Sequence, residues 1–361
     1  MDWPTVRLLH LVGSPTSEFL AELSRLYARD AVAATADPAR YEVAVAHVAP
    51  DGIWRFPRSL GAAAPDDGPA LDVGGALARV REIAPDVVVP QMFCLPGMTA
   101  YRALFDVLGI PVVGNPPEVM ALGADKPRAR ALVAHGGVDV PDGRVVRSAS
   151  SPGEPPPLPV VVKPADSDNS LGMTLVRRPE QYGPALAAAL EHSGAALVER
   201  YVPAGREVRC GVIERHGELV CLPLEEYPVD EDAAPVRLPA DKLARDQEGE
   251  LGLVAKGAGR AWTVDAADPV TGPVQEAARR CYTAMGCRDY GLFDFRIDRQ
   301  GRPWFLEAGL YCSFAPGSVI TAMAERAGIG LPDLFAEMVA RAAARAPATS
   351  GTGAGHGSAP R

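Results

Sequence analysis

No Cys-x-x-Cys pair occurs in this chain of 361 residues, and its six cysteines (Cys94, Cys210, Cys221, Cys281, Cys287 and Cys312) are scattered through apolar surroundings. A chain this long can bury a sufficient core without covalent staples, so reduced and mostly buried thiols are expected. The six histidines show no metal-ligand spacing, which leaves a histidine-held metal without support. No run of lysine and arginine is long enough to neutralise a track of phosphates, and 36 basic against 45 acidic side chains leave a net charge of −9. Nucleic acid is thereby excluded as an expected partner. Long hydrophobic runs are missing too: Leu8 to Val12 is far shorter than a signal core or a membrane span, and the opening Met1-Asp2-Trp3-Pro4-Thr5 carries an acid where a signal would carry base. The expected setting is cytoplasmic, with no membrane partner. Internal repeats are absent as well.

What is present is ordinary globular material, 47% hydrophobic and 22% charged, enough for two or three domains. Val6 to Val12 reads as a buried strand, Gly13 to Ser17 as a capping turn and Glu18 to Arg29 as an amphipathic helix. Further strands are predicted at Tyr41–Val48 and Pro85–Pro90, with helices at Gly75–Ile83 and Thr99–Leu108. Strands alternating with helices imply a parallel sheet. Ile110–Val113 is predicted as a short strand ending in Asn115-Pro116-Pro117, which sets a first domain at 1–116. A helix from Pro117 to His135 follows, with Lys126 inside it, and Ser148–Pro159 reads as an exposed loop. From Ala196 the pattern turns strand-rich (Glu207–Ile213, Leu219–Leu224, Leu292–Ile297, Trp304–Glu307), as in an antiparallel sheet. The expected divisions are 117–206, 207–343 and a flexible tail at 344–361.

Three constellations carry chemistry. In the first, a buried strand delivers Lys163 into the polar, glycine-bearing loop Pro164 to Met173, and such a loop can present backbone N–H groups to phosphate. A lysine at a strand end is also commonly a solvated edge charge. In the second, the strand Leu197 to Val202 stops at Pro203-Ala204-Gly205, and its exposed end could bind an adenine edge, with Glu207 eight residues beyond Glu199 to hold ribose hydroxyls. A structural strand and turn would look the same. In the third, period-2 alternation in Phe293 to Asp298 and Trp304 to Glu307 sets Asp294 and Glu307 among apolar neighbours. Buried carboxylates must be paired or bind cations, and two beside a polyphosphate suggest Mg²⁺.

In this order, Asp125-Lys126, Lys163-Pro164 to Ser170-Leu171-Gly172, Glu199-Arg200-Tyr201-Val202, Glu207, Asp294 and Glu307, the chain resembles the ATP-grasp enzymes, and among them D-alanine:D-alanine ligase, from about Val6 to about Ala340. The resemblance implies an α/β (α+β) fold: an N-terminal parallel α/β domain, then two antiparallel-sheet subdomains that clamp ATP. It also implies that Lys126 and Lys163 neutralise phosphate oxygens, that the loop with Ser170 and Gly172 closes over them, and that Glu199, Tyr201 and Val202 hold adenine while Glu207 holds ribose. Asp294 and Glu307 would ligate Mg²⁺, with Mn²⁺ as an alternative. Glu18 falls where the family recognises a substrate ammonium, although a glutamate in a first helical turn also serves the helix dipole. Ser318 falls where it contacts a substrate carboxylate, although a helix cap would look the same.

Four departures qualify the expectation. The polar substrate-side turn of the ligases is here the largely apolar Pro90 to Thr99, and Gly309 stands where the family's metal motif has Asn. Leu292 replaces the arginine that faces the transferring phosphate, so Arg296 or Arg288 is the expected substitute for its charge. Leu310 to Phe314 adds aromatic bulk on the acceptor side. The expected activity is an ATP-dependent carboxylate-amine ligase that forms a peptide or amide bond through an acyl phosphate. Its expected substrates are a small-molecule carboxylate and amine, amino acids other than two D-alanines, and the family implies a homodimer. The competing readings are an authentic D-alanine:D-alanine ligase and a degenerate, non-catalytic ATP binder. The acid-rich stretch Glu225 to Asp232 is expected to begin a mobile loop over the site, with Asp241-Lys242 contributing a further cation.

Overall fold

The computed structural model describes residues 5–61, 65, 67–167, 171–203, 205–229, 243–245, 251–253 and 261–346. A βα unit opens the fold: β1 (Val6–Gly13) leads through a turn into α1 (Glu18–Ala34), where Ser17 caps the helix by accepting from Leu20 N at 3.3 Å. There follow β2 (Tyr41–Val48), β3 (Trp54–Arg55), α2 (Val73–Ile83) and β4 (Val87–Pro90). The sheet runs β3-β2-β1-β4, and β1 is parallel to both its neighbours, as the alternation implied. Two short helices come next, α3 (Leu95–Met98) and α4 (Ala100–Val107). The predicted strand at Ile110–Val113 contributes only a bridge from Val112 to Val88. It is bounded by Pro111, which has no N–H to extend a ladder, and by Gly114 at φ +87.

A second correction concerns the helix predicted from Pro117 to His135. It is two helices, α5 (Pro117–Ala124) and α6 (Lys126–His135), separated by Asp125 in an extended conformation. Pro127 cannot return an N–H to the preceding turn, and Asp125 instead caps α6 by accepting from Arg128 N at 3.0 Å. The break places Lys126 at the first position of α6 with its N–H on Ala165 O at 2.9 Å. That bond fixes the lysine beside the end of the Lys163 strand.

The central sheet comprises β5 (Gly143–Val146), β6 (Val160–Pro164), β7 (Thr174–Val176) and, after α7 (Tyr182–Leu190), β8 (Ala196–Arg200). Its order is β5-β8-β6-β7, antiparallel throughout, with Val160, Val162, Val176 and Val198 packed under Leu186 and its neighbours on α7. The last sheet is built from β9 (Arg206–Arg215), β10 (Glu218–Cys221), β11 (Glu225–Tyr227), a separate pair β12 (Leu243–Arg245) and β13 (Leu251–Leu253), then β14 (Trp262–Thr263). After α8 (Thr271–Ala284) come β15 (Tyr290–Ile297) and β16 (Pro303–Gly309), giving the order β14-β11-β9-β15-β16 with β10 on β9. The strand predicted to reach Leu224 ends at Cys221, because Pro223 cannot donate to a ladder. The acid-rich run predicted as a loop begins as a strand: Glu225 and Glu226 are buried and paired with Arg326 and Arg206, while Asp230 to Asp232 lie outside the described residues.

Two helices close the chain, α9 (Val319–Arg326) and α10 (Leu331–Ala343); the predicted tail from residue 347 lies outside the described residues. Phe314, Ile320, Phe335 and Met338 share one core with Leu8, Val87 and Val89 of the first sheet. Val119, Met120, Ala129 and Val133 from α5 and α6 share another with Val208, Phe293 and Phe295. Two buried polar hubs join these parts. Asn115 Nδ2 donates to Tyr290 O (2.8 Å) and Leu310 O (2.9 Å), and its Oδ1 accepts from Arg288 N at 2.7 Å. Asp289 accepts from Gly114 N at 2.8 Å and takes the Arg345 guanidinium on both oxygens at 2.8 Å. Among the described residues no helix is long and apolar enough to cross a membrane.

Candidate active site

A cleft of about 850 Å³, open mouth included, is lined by the central sheet on one side and by β9, β15 and β16 on the other. Strand pleating builds both walls. On β6, Val160 and Val162 enter the core under α7, so Val161 and Lys163 face the cleft. On β15, Phe293 and Phe295 point inward and leave Asp294 and Arg296 on the cleft side. On β16 the register slips between Asp294 and Phe295, which places Leu306 as well as Glu307 on the cleft with Glu307 opposite Asp294.

The structure brings nine of the predicted site residues into this one lining: Lys126, Lys163, Glu199, Tyr201, Val202, Glu207, Asp294, Arg296 and Glu307. Lys163, Glu199, Glu207, Asp294 and Arg296 are buried in ion pairs, because an unpaired buried ion costs several kcal/mol. Lys163 Nζ lies 2.6 Å from Glu199 Oε1, and Arg130 Nε stands 3.5 Å from Glu199 Oε2. That second oxygen is buried without a hydrogen-bond partner. Arg296 lies 3.4 Å from Glu207 Oε2, donates to Tyr201 Oη at 2.7 Å and sits 5.2 Å over the Tyr201 ring. Lys126 Nζ donates to Ser167 O at 2.5 Å, at the start of the loop that continues from Lys163. Val161, Leu171, Met173 and Leu306 supply apolar wall, suited to a flat ring.

Arg209 stands opposite Asp294 in the β9–β15 register. Its Nε is 2.8 Å from Asp294 Oδ1 and its Nη2 is 2.9 Å from Oδ2, a two-pronged pair. Burial opposes the Arg209 charge, but Asp294, Tyr227 and Glu307 together raise its pKa well above the ordinary arginine range. Its guanidinium lies 5.0 Å over the Tyr227 ring.

The remaining predicted positions are not among the described residues of the lining. Ser170 lies outside the described residues, as do Asp241 and Lys242. Gly172 is turned away at φ +66, where a Cβ would meet His192 Cδ2 at 2.8 Å and Pro164 Cγ at 3.1 Å, so glycine there packs the loop onto α7. Glu18 is in the first turn of α1 with its carboxylate 2.8 Å from the buried Arg25. Ser318 is the cap position of α9, its Oγ 2.7 Å from Thr321 Oγ1. Arg288 serves the domain junction, donating to Gly114 O at 2.8 Å. Sequence reasoning passed over Arg130 and Arg209. Each had a period signal: Arg130 is one helical turn beyond Lys126, and Arg209 is two strand positions beyond Glu207.

Residues 153–340 match the family described as D-ala D-ala ligase C-terminus. Vancomycin B-type resistance protein VanB of Enterococcus faecalis is 30% identical over 250 residues, 68% of this chain and 69% of that protein. The D-alanine--D-alanine ligase of Mycolicibacterium smegmatis is 30% identical over 351 residues, 86% of this chain and 88% of the relative. Among solved structures, the VanG D-Ala:D-Ser ligase of Enterococcus faecalis superposes with a TM-score of 0.70 at 18% identity, covering 93% of this chain and 99% of that one. The fold is therefore ATP-grasp, and its class is the ATP-dependent ligases that join carbon to nitrogen. The chain belongs to the D-alanine–D-alanine ligase family.

Proposed function

We propose that this ligase condenses two amino-acid-like substrates other than a pair of D-alanines, one activated at its carboxylate and the other attacking through its amine. The observation that carries the catalytic half is the convergence of Lys126 and Lys163 with the Asp294/Glu307 pair on a single cleft. A carboxylate oxygen of the first substrate attacks the γ-phosphorus of ATP, the bond to the β-phosphate oxygen breaks, and ADP leaves with its electrons. The second substrate's amine then attacks the acyl carbon of the acyl phosphate, phosphate departs, and the amine proton is lost as the amide forms. The substrate's own carboxylate is the nucleophile, so the protein's task is positioning and charge neutralisation. Lys126 and Lys163 hold phosphate oxygens, Glu199, Tyr201 and Val202 face the adenine, and Glu207 faces the ribose.

Two carboxylates in register on one face, 6% exposed in the case of Asp294, offer hard oxygen donors of the kind Mg²⁺ takes, and Mn²⁺ would fit the same donors. When bound there, the cation would neutralise charge between the β- and γ-phosphates. Gly309 adds no side-chain donor to the pair.

A pair other than two D-alanines is supported by the apolar rings that stand after β4 and β16 in place of a polar turn. Phe93, from the turn after β4, lies 5.2 Å from the Tyr27 ring and 5.3 Å from that of Tyr311, which follows β16. The test is ADP release with Mg²⁺ across single and paired amino acids of both chiralities, with products identified by mass spectrometry. Condensed product from a pair other than two D-alanines is the expected result. Product from D-alanine alone would return the chain to cell-wall chemistry, and tight ATP binding without turnover for any pair would support the non-catalytic reading that Leu292 and Gly309 raise.

A further inference from the structure

Arg209 has no counterpart among the expected site residues, yet among the described residues it is the cation paired with Asp294. Lys163 is engaged with Glu199, and Arg296 with Glu207 and Tyr201. Position 292, two residues before Asp294 on the same strand face, is a leucine. Arg209 reaches Asp294, a residue of the cleft lining, from the neighbouring strand, β9, and its side chain is 11% exposed beside Asp294 at 8%. In this arrangement it occupies both Asp294 oxygens, the very donors that a divalent cation needs.

We propose that Arg209 is a catalytic residue of this site that works by changing partners. Without nucleotide it is parked on Asp294 and keeps that carboxylate compensated. As Asp294 turns to a divalent cation accompanying ATP, the Arg209 guanidinium moves to the oxygens of the transferring phosphoryl group, where a planar donor fork matches the developing charge. One side chain thus supplies the phosphate-facing charge that Leu292 does not, and it also lowers the affinity of the empty site for metal. The inference rests on the ligase reading for its catalytic half alone.

The distinguishing measurement is Mn²⁺ binding to the nucleotide-free protein, followed by electron paramagnetic resonance, in wild type, Arg209→Gln and Arg209→Lys, with circular dichroism to establish folding. A site open only part of the time binds with its affinity reduced by that fraction, so Arg209→Gln should bind Mn²⁺ about tenfold more tightly. Its ATP-dependent turnover should fall about a hundredfold in kcat, the effect of losing one transition-state donor, with KM for ATP changed much less. Arg209→Lys, which keeps charge but not the fork, should lie between on both readouts. Asp294→Asn, in the same assay, should abolish the binding. A purely structural arginine would weaken Mn²⁺ binding together with folding, so equal or weaker binding by a folded Arg209→Gln protein overturns the proposal, as does an unchanged kcat. If no substrate pair is turned over by the wild type, the ligase reading fails while the Mn²⁺ comparison still decides whether Arg209 competes for Asp294.

Discussion

Replacing Lys163 with methionine keeps most of the side-chain volume and removes one charge from the Lys163–Glu199–Arg130 cluster. The ion pair this abolishes is the short one, 2.6 Å to Glu199 Oε1, and the remaining cation, Arg130, is 3.5 Å from the other oxygen. Breaking a buried pair by deleting one member costs about 3–5 kcal/mol, and the Arg130 that stays behind offsets part of this, so a destabilisation of about 2–3 kcal/mol is expected. The catalytic consequence is separate. Removing one preorganised phosphate donor costs about 2.7–4 kcal/mol of transition-state stabilisation, a fall of about a hundredfold to a thousandfold in kcat. The triple variant Lys163→Met/Glu199→Gln/Arg130→Gln separates the two effects, since it removes all three charges and leaves no buried ion unpaired: urea midpoints should return most of the way to wild type while ADP release stays low. A triple variant as unstable as the single would refute the pairing argument. Wild-type kcat/KM in Lys163→Met would remove the lysine from the phosphate site altogether.

Asp294→Asn should leave Arg209 buried beside a neutral partner and raise the Mg²⁺ concentration needed for half-maximal turnover; wild-type metal dependence would move the cation elsewhere. Glu207→Gln weakens the 3.4 Å pairing with Arg296 and the acceptor offered to the ribose, so KM for ATP should rise about tenfold with kcat little changed, as checked by initial rates. His10 and His47 have pKa values lowered to about 4, by burial in both and additionally by Arg25 and Arg55 around His47. The unfolded chain takes up those protons near 6.5 and the folded chain only near 4, so stability is complete above about pH 6.5 and lost as pH falls through that window, by up to about 1.4 kcal/mol per unit for each histidine. Urea midpoints should drop between pH 7 and pH 5, and drop less in His10→Gln/His47→Gln.

The positions that were legible in sequence are those where a short-range pattern fixes which way a side chain points. Asp294 and Arg296 sit at alternate positions between Phe293, Phe295 and Ile297, and the pleat alone puts the two charges on one face. Lys163 follows three valines and inherits its direction from them. The bulge that carries Leu306 into the cleft left no such mark, nor did the pairing of Arg209 with Asp294, because both depend on register between strands, and Arg209 and Asp294 are 85 residues apart in the chain. Asp125 illustrates the intermediate case. Its capping role and the proline two residues later were both visible, but a continuous helical pattern on either side concealed the break. Gly172 was noticed for a phosphate loop, and its surroundings assign it first to packing against α7.

The buried hubs at Asn115 and Asp289 have a mechanical consequence. They fasten the exit from the first sheet to the hairpin that bears Asp294 and Glu307 and to the last helix, and continuous apolar cores run across the same joints. The central sheet, by contrast, packs Val146, Val160, Val176 and Val198 within a core of its own. Admission of nucleotide and departure of product should therefore be a swing of the segment 143–200 over a stationary floor, costing little exposed apolar surface. Spin labels at Glu180 and Arg299 should change separation when ATP binds, and a pair at Glu42 and Arg299 should hold theirs. In such a swing Lys163 and Glu199 would travel with the central sheet, while Asp294 and Glu307 would keep their places.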